Sequence, residues 1–162
     1  MITHKIQIPD ERVLILDFGS QVTQLIARRI RELHVYAEIV PYHISIKEIK
    51  EYKPSAIILS GGPASLYEKK APRVESEIFR LGKPILGICY GLYLIVEAYK
   101  GMIKGADSRE YGRAIIDADI ESLLFTGLKK KELVWMSHGD KVVSPPRGFK
   151  VIASTENAET AA

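Results

Sequence analysis

The chain has 162 residues, of which 46% are hydrophobic and 27% charged, and its formal net charge is +3. That length suits one domain with a core of its own. The sequence has no apolar stretch long enough to cross a bilayer, and its polar start lacks the apolar segment of a secretory signal. One cysteine excludes an internal disulfide and argues against a metal site, which predicts a reducing, cytoplasmic setting. The mild, scattered positive charge predicts neither a nucleic-acid nor a membrane partner.

Short apolar runs alternate with helical patterns over the first hundred residues. Four runs are typical of strands in a buried sheet: Val13–Leu16, Ala37–Val40, Ala56–Leu59 and Ile85–Ile88. Apolar residues at helical spacing follow these strands, at residues 22–33, 44–54, 74–81 (between the third and fourth strands) and 92–99. Because parallel strands need crossover connections, this order predicts an α/β fold with an open, mostly parallel sheet and helices on both faces.

The sequence changes character after Gly101. Strand-like pieces at residues 114–116, 133–136 and 151–153 are separated by glycine, proline and charged turns, with little helix between them. They predict antiparallel or mixed strands added at the edge of the parallel sheet. We expect one domain over residues 1–162, with residues 1–11 as an N-terminal extension.

Three loops follow predicted parallel strands: residues 17–21, 60–67 and 89–91. Ligands in open α/β sheets bind outside the carboxyl ends of the strands, so these loops are where we expect chemistry. The loop at residues 17–21 lacks the lysine and the glycine spacing of a phosphate-binding loop, which argues against nucleotide binding by this domain.

The segment Gly87-Ile-Cys-Tyr-Gly91 stands between a predicted strand and an apolar helix. It has the form of a nucleophile elbow with cysteine in place of serine, a turn so tight that the residues two before and two after the nucleophile must be small. At a helix N-terminus the exposed amides would favour the thiolate of Cys89. The alternative that this pattern leaves open is an inert core cysteine beside two incidental glycines.

Gly61, Gly62 and Pro63 follow the third predicted strand. Glycine leaves the backbone amides free to point at a ligand, although the same composition also makes a simple turn. The amides of Gly62 and Tyr90 together would form an oxyanion hole. Beside a cysteine elbow, this pair predicts acyl transfer through a thioester.

A polar cluster ends the strand-like piece that contains Trp135: Ser137, His138, Gly139 and Asp140. Spacing alone leaves three interpretations open. His138 could be the base for Cys89, the cluster could bind substrate, or it could be a polar turn.

The segments around Cys89 and Gly61-Gly-Pro63 resemble those of the class I glutamine amidotransferases. Further stretches resemble the GMP synthases of that family: Leu16-Asp-Phe-Gly-Ser-Gln21 with the Thr23–Arg29 helix, Arg109-Glu-Tyr-Gly-Arg-Ala114, and Val134-Trp-Met-Ser-His-Gly-Asp140. The resemblance runs from about Val13 to Ala153. It implies the flavodoxin-like fold of class I amidotransferases.

The resemblance implies that Cys89 attacks the side-chain amide of L-glutamine, that ammonia leaves, and that water hydrolyses the glutamyl thioester. It assigns the oxyanion to the amides of Gly62 and Tyr90. It places substrate contacts at Gly61, Tyr93, Ser137, His138, Gly139 and Asp140.

Partners follow from the same resemblance. In GMP synthases the ammonia passes to an ATP-pyrophosphatase (synthetase) domain, fused or separate, which uses ATP and Mg to aminate XMP to GMP. The resemblance implies no cofactor for the amidotransferase domain itself, and it allows a homodimer formed through the synthetase region. That region is absent from these 162 residues.

Two departures from the family pattern alter these expectations. Tyr93 stands where the family has a glutamine that contacts substrate, which predicts weaker glutamine binding. The catalytic histidine and glutamate of the family lie in a later His-Pro-Glu stretch that these residues do not reach, so the 162 residues alone are expected to be inactive. His138 precedes that stretch and matches the substrate loop, so we do not assign it as the base.

Two other functions remain open on the sequence. One is a flavodoxin-like binding or regulatory module that has kept the elbow and lost turnover, for which Tyr93 is the argument. The other is a different class I amidotransferase, such as one that feeds anthranilate synthesis.

Overall fold

The computed structural model describes residues 9–162, with only the backbone for residues 106–110. Residues 1–8 of the predicted N-terminal extension lie outside the described residues, as do the side chains of Arg109 and Glu110. The chain divides into two compact units, residues 1–92 and residues 93–162. In the described part of the chain, every helix is too short or too polar to span a membrane.

Strands and helices alternate in the first unit. Its described elements are β1 (Arg12–Asp17), α1 (Thr23–Glu32), β2 (Tyr36–Pro41), α2 (Ile46–Tyr52), β3 (Ala56–Leu59) and β4 (Ile85–Gly87). The strands are all parallel and lie in the order β2-β1-β3-β4. The predicted parallel sheet is therefore confirmed. In this doubly wound order, the crevice for a ligand opens between β1 and β3, where the direction of winding reverses.

Strand β1 is buried on both faces of the sheet. Leu14, Ile15 and Leu16 have no exposed surface, although successive side chains of a strand point to opposite faces. On one face Ile15 packs with Ala27 and Ile30 of α1. Full burial of a side chain of this size stabilises the fold by about 1.5–3 kcal/mol. Burial on both faces is the reason that the strand is a continuous apolar run in the sequence.

The helix expected over residues 74–81 is a short 3-10 helix, Ser76–Arg80. Glu75, which precedes it, is extended (φ −62°, ψ 130°), and the helix ends at Arg80, with Leu81 as its C-cap before the positive φ of Gly82. The five residues between these ends are too few for a stable α-helix, because the first hydrogen-bonded turn is costly to form.

The second unit begins inside α3 (Tyr90–Ala98) and is dominated by antiparallel strands. These strands are β5 (Met102–Ala118), β6 (Lys131–Ser144) and β7 (Ala153–Ser154), in the order β6-β5-β7. The antiparallel pairing is confirmed. The expectation that these strands extend the parallel sheet is wrong, because they form a sheet of their own.

Strands β5 and β6 are also much longer than the predicted pieces. Along residues 111–117 and 131–137, exposed side chains alternate with half-buried or buried ones. The exposed positions include charged residues such as Arg113 and Lys131, which break the apolar pattern in the sequence. Inside the unit, Ile116, Ala118 and Ala153 form a small buried cluster.

Candidate functional site

The loops after β1, β3 and β4 meet at the carboxyl edge of the parallel sheet, as predicted. The meeting point is Gly61, where an added Cβ would lie 3.5 Å from the Cβ of Cys89 and 3.6 Å from the Oγ of Ser20. A side chain at this position would fill the space between the cysteine and the first loop. The absence of a side chain at Gly61 therefore leaves the space between Cys89 and the loop after β1 open.

Cys89 occupies a tight turn between β4 and α3. Its φ is +51°, in the left-handed region that residues with a Cβ seldom adopt. Such a conformation costs on the order of 1–3 kcal/mol and persists only where the surrounding structure imposes it. The backbone at Cys89 is therefore strained, as a tight elbow requires.

The glycines on either side of the turn are required by packing. A Cβ on Gly87 would lie 2.5 Å from the carbonyl carbon and oxygen of Gly91, and a Cβ on Gly91 would lie 2.2 Å from the carbonyl oxygen of Leu59. Both obstacles are backbone atoms, which cannot move aside as the end of a side chain can. The predicted need for small residues two before and two after Cys89 is confirmed.

Backbone hydrogen bonds hold this turn onto β3. The N–H of Ile88 donates to Leu59 O at 3.0 Å. The N–H of Gly91 donates to Ile88 O at 3.0 Å and to Ser60 O at 3.2 Å. The strained residue is thus fixed by the sheet on one side and by the start of α3 on the other.

Ser60 is a residue whose role the sequence did not reveal. It is fully buried, and its Oγ accepts from the N–H of Phe18 at 3.0 Å and donates to Gly61 O at 2.9 Å. It therefore joins the loop after β1 to the loop after β3. The only signal in the sequence was a serine between a buried strand and two glycines.

Gly62 packs against the loop after β1. An added Cβ would lie 2.6 Å from the carbonyl oxygen of Phe18. Among residues 9–162, the structure gives the backbone N–H of Gly62 no hydrogen-bond partner. A backbone N–H that has no hydrogen-bond partner at the edge of a sheet is suited to bind an oxyanion.

Tyr90, the other predicted oxyanion donor, is the first residue of α3. Its side chain is buried, with the hydroxyl donating to Pro72 O at 2.7 Å and the ring 5.4 Å from that of Phe18. The side chain anchors the start of the helix, so it is the backbone amide that remains as the predicted donor. The roles of Gly62 and Tyr90 stay predictions.

In the loop at residues 17–21, the carboxylate of Asp17 accepts hydrogen bonds from groups close to it in the chain. The Oδ1 of Asp17 accepts from the N–H of Gly19 at 3.0 Å and from the Oγ1 of Thr23 at 2.8 Å. A carboxylate held at the start of α1 is unfavourable for a phosphate at the same place. This geometry agrees with the absence of a phosphate-loop pattern in the sequence.

The polar cluster Ser137–Asp140 lies on β6 in the second unit. Ser137 is exposed, whereas His138, Gly139 and Asp140 are half-buried. The pairing of β6 with β5 changes register here, between Gly105 and Glu110 of β5. Such irregularities re-aim side chains and are frequent beside active sites.

Tyr93 belongs to this same unit and is 6% exposed. Its hydroxyl donates to Asp140 O at 2.5 Å, and the Nδ1 of His138 lies 3.1 Å from the same oxygen. The structure thus gathers the predicted site residues into one group around Gly61 and Cys89 and another around the Asp140 carbonyl.

Similarity to known proteins agrees with the chemistry of the elbow. GMP synthase (glutamine-hydrolysing) of Brachyspira hyodysenteriae is 58% identical over 152 residues, and that of Caldanaerobacter subterraneus is 55% identical. Each match covers 94% of this chain and 30% of the relative, so the chain spans about a third of the length of these curated relatives.

Solved structures show the same fold. A protein from Thermoplasma acidophilum that is described as one of the subunits of a GMP synthase matches with a TM-score of 0.77 and 25% identity, over 93% of this chain and 75% of that one. A glutamine amidotransferase from Thermotoga maritima matches with a TM-score of 0.73 and 18% identity, over 94% and 70% of the two chains. The family model described as glutamine amidotransferase class-I matches residues 14–162. Together with the cysteine elbow, this match establishes that the chain belongs to the class I glutamine amidotransferases.

Proposed function

We propose that this chain is the glutamine-hydrolysing part of a GMP synthase, with Cys89 as its nucleophile. The observation that carries the assignment of Cys89 is its positive φ between two glycines whose replacement the backbone forbids. An inert core cysteine needs no such turn. Strain that surrounding packing imposes on a reactive side chain is a common property of active sites.

The proposed reaction begins when the Sγ of Cys89 forms a bond to the carboxamide carbon of glutamine. The carbonyl oxygen becomes an oxyanion, which the amides of Gly62 and Tyr90 bind. Collapse of this intermediate breaks the C–N bond, and the nitrogen takes a proton from a general acid and leaves as ammonia. The family resemblance gives that acid to the later His-Pro-Glu stretch, which these 162 residues do not reach. Water then attacks the thioester, which releases glutamate and restores the thiol.

Substrate specificity is proposed from the family resemblance. Ser137, Gly139 and Asp140 hold the α-amino and α-carboxylate groups of glutamine, and His138 belongs to the same segment. Hydrolysis in this domain is proposed to need no cofactor. ATP and Mg belong to the synthetase, where ammonia aminates XMP.

The synthetase is the proposed partner of this domain. Relatives more than 50% identical extend to about three times the matched length, which supports fusion in a single chain. The protein from Thermoplasma acidophilum, of which this chain covers three quarters, represents the alternative in which the two activities reside in separate chains. The single cysteine supports a cytoplasmic location.

The nucleophile can be tested with a chloroketone analogue of L-glutamine. The thiolate of Cys89 displaces chloride and forms a C–S bond, a reaction that needs no proton donor. We expect one adduct per chain by mass spectrometry, a rate that saturates with reagent, and protection by L-glutamine. D-Glutamine should not protect.

Iodoacetamide provides the matched control, because it alkylates any accessible thiol. Its rate should rise with pH along a titration curve. We expect the midpoint of that curve to lie below about 8.5, the pKa of a free cysteine, because the start of α3 favours the thiolate. Labelling by iodoacetamide without saturable labelling by the chloroketone would contradict glutamine binding and favour a non-catalytic module. Cys89→Ser should lose both adducts.

The proposed acceptor of the ammonia is XMP, and a test of it requires the domain together with its synthetase. In that assembly, Cys89→Ala should abolish GMP formation from glutamine and leave GMP formation from ammonium unchanged. Loss of both activities, or no conversion of XMP by the unmodified assembly, would reject the GMP synthase assignment.

A further inference from the structure

The carbonyl oxygen of Asp140 accepts from two side chains at once. The hydroxyl of Tyr93 lies 2.5 Å away and the Nδ1 of His138 lies 3.1 Å away. A carbonyl oxygen has two lone pairs and only accepts, so both side chains must act as donors. His138 therefore carries a hydrogen on Nδ1 in this arrangement.

We propose that Tyr93 is a positioning residue, which fixes the segment His138–Asp140 through this carbonyl. The proposal rests on the proposed function, in which that segment holds glutamine. It replaces the expectation that Tyr93 stands in for a substrate-binding glutamine side chain. Tyr93 acts on glutamine through the backbone of Asp140.

Burial supports this role. Tyr93 is 6% exposed, so its ring is fixed in the unit and its hydroxyl cannot rotate into solvent. Its neighbours along α3, Leu94, Ile95 and Val96, are also buried, which fixes the helix that carries the phenol. A donor held by such packing loses little conformational entropy when it binds the carbonyl.

The position of Asp140 on β6 explains why side-chain hydrogen bonds are needed to fix its carbonyl. The register of β5 and β6 shifts between Gly105 and Glu110, opposite the segment that contains His138 and Asp140. A strand at such an irregularity has less of its conformation set by the ladder. Hydrogen bonds from side chains then decide where the segment lies.

The identity of the residue at position 93 also matters. The chemistry of the contact requires a donor that reaches a backbone carbonyl from within a buried helix. The phenol of tyrosine supplies that donor with a rigid ring and only two side-chain torsions. Phenylalanine would keep the ring and remove the donor, which makes Tyr93→Phe the sharpest test.

The test compares the 162-residue chain with its Tyr93→Phe and Tyr99→Phe variants, using the chloroketone. Tyr99 follows α3, is 45% exposed, and its ring packs 5.2 Å from that of Phe149, a contact that phenylalanine preserves. For Tyr93→Phe we expect the half-saturation constant of labelling to rise about 3- to 10-fold. The maximal rate and the iodoacetamide rate should be unchanged. Tyr99→Phe should match the unmodified chain.

A carbonyl ¹³C signal reports the contact directly. Loss of a hydrogen bond should move the Asp140 carbonyl resonance upfield in Tyr93→Phe and leave it in place in Tyr99→Phe. If Tyr93→Phe does not fold, site-specific 3-fluorotyrosine at position 93 replaces it. Its more acidic phenol should move the same resonance downfield.

The outcomes separate the two proposals. An unchanged half-saturation constant, or an unmoved Asp140 resonance, would overturn the role of Tyr93. The iodoacetamide rate could instead fall by the same factor as the chloroketone rate measured below saturation. That result would also overturn the role of Tyr93, because the substitution would then act on Cys89 in general. Failure of the unmodified chain to show saturable labelling would instead reject the proposed function, whatever the resonance does.

Discussion

In the first unit, β1 and β3 are buried on both faces, whereas β5 and β6 of the second unit leave one face exposed. Leu14, Leu16 and Leu59 have no exposed surface, but Leu133 is 63% and Trp135 74% exposed. Both regions are β-sheets. They differ in how much of each strand the rest of the unit covers.

This difference explains what each unit can do with its backbone. The buried strands β1 and β3 hold the ends of two loops in fixed places. The turn at Cys89 is hydrogen-bonded to the end of β3, which helps to keep Cys89 at a φ of +51°. The exposed strands of the second unit place fewer restraints on their backbone. There the Asp140 carbonyl is held by the side chains of Tyr93 and His138.

The largest expected effect comes from truncating a buried leucine. Leu16→Ala should lower the free energy of unfolding by about 2–5 kcal/mol, because it leaves a cavity under a side chain with no exposed surface. Leu133→Ala, on the exposed face of β6, should change it by less than about 0.5 kcal/mol. Urea unfolding of the two variants measures both. Equal losses would mean that the exposed face of the second unit is covered in solution.

Glycine substitutions test the same contrast at the backbone. Gly91→Ala places a Cβ 2.2 Å from Leu59 O, and we expect a loss of about 1–3 kcal/mol or more, with slower labelling of Cys89. Gly105→Ala in β5 meets nothing closer than 3.8 Å and should cost less than about 1 kcal/mol. Thermal unfolding and chloroketone labelling provide the measurements. A tolerant Gly91 would remove the argument for an imposed elbow.

The buried serine that joins two loops should have an intermediate effect. Ser60→Ala leaves the N–H of Phe18 without its acceptor, at a cost of about 1–3 kcal/mol. Ser55→Ala is the control, because Ser55 is exposed and its hydrogen bonds are longer, at 3.3 and 3.4 Å. Unfolding by urea compares the two. A Ser60→Ala variant as stable as Ser55→Ala would show that the loops do not depend on this bond.

The smallest effect is a dependence on alkaline pH. Burial, and then the carboxylate of Glu38, raise the pKa of Tyr52 from 10.0 to about 12. The folded state thus favours the neutral phenol. Its contribution to stability is complete below pH 10 and is lost as the pH rises toward 12.

Tyr52→Phe removes this contribution. The unmodified chain should lose stability relative to the variant between pH 10 and 12, and the difference should be constant below pH 10. Tyr67→Phe, at a side chain that is 65% exposed, should follow the unmodified chain throughout. Urea unfolding midpoints of the three proteins at pH 8, 10 and 11 measure this difference. If the midpoints of all three changed equally with pH, that would contradict a buried phenol at position 52.

The two units also differ in how much the sequence predicted. Strands β1 and β3 were found to within one residue at each end, because strands buried on both faces are continuous apolar runs. Strand β2 is mostly half-buried and was found as closely, from a short run that Pro41 closes. The lengths of β5 and β6 and their separation from the parallel sheet were missed. An exposed strand face accepts charged residues such as Arg113, so no apolar pattern marks the ends of these strands.

The sequence by itself determined the family, the parallel order of elements and the position of the tight turn at Cys89, because tight turns and buried strands restrict which residues can occupy them. Gly87 and Gly91 indicate the turn at Cys89 for that reason. Only the tertiary structure decided the hydrogen-bond partners of Ser60 and Tyr93. Their hydroxyls bond to backbone groups more than 40 residues away in the chain, and a single polar atom leaves no periodic pattern that would point to a partner at that distance.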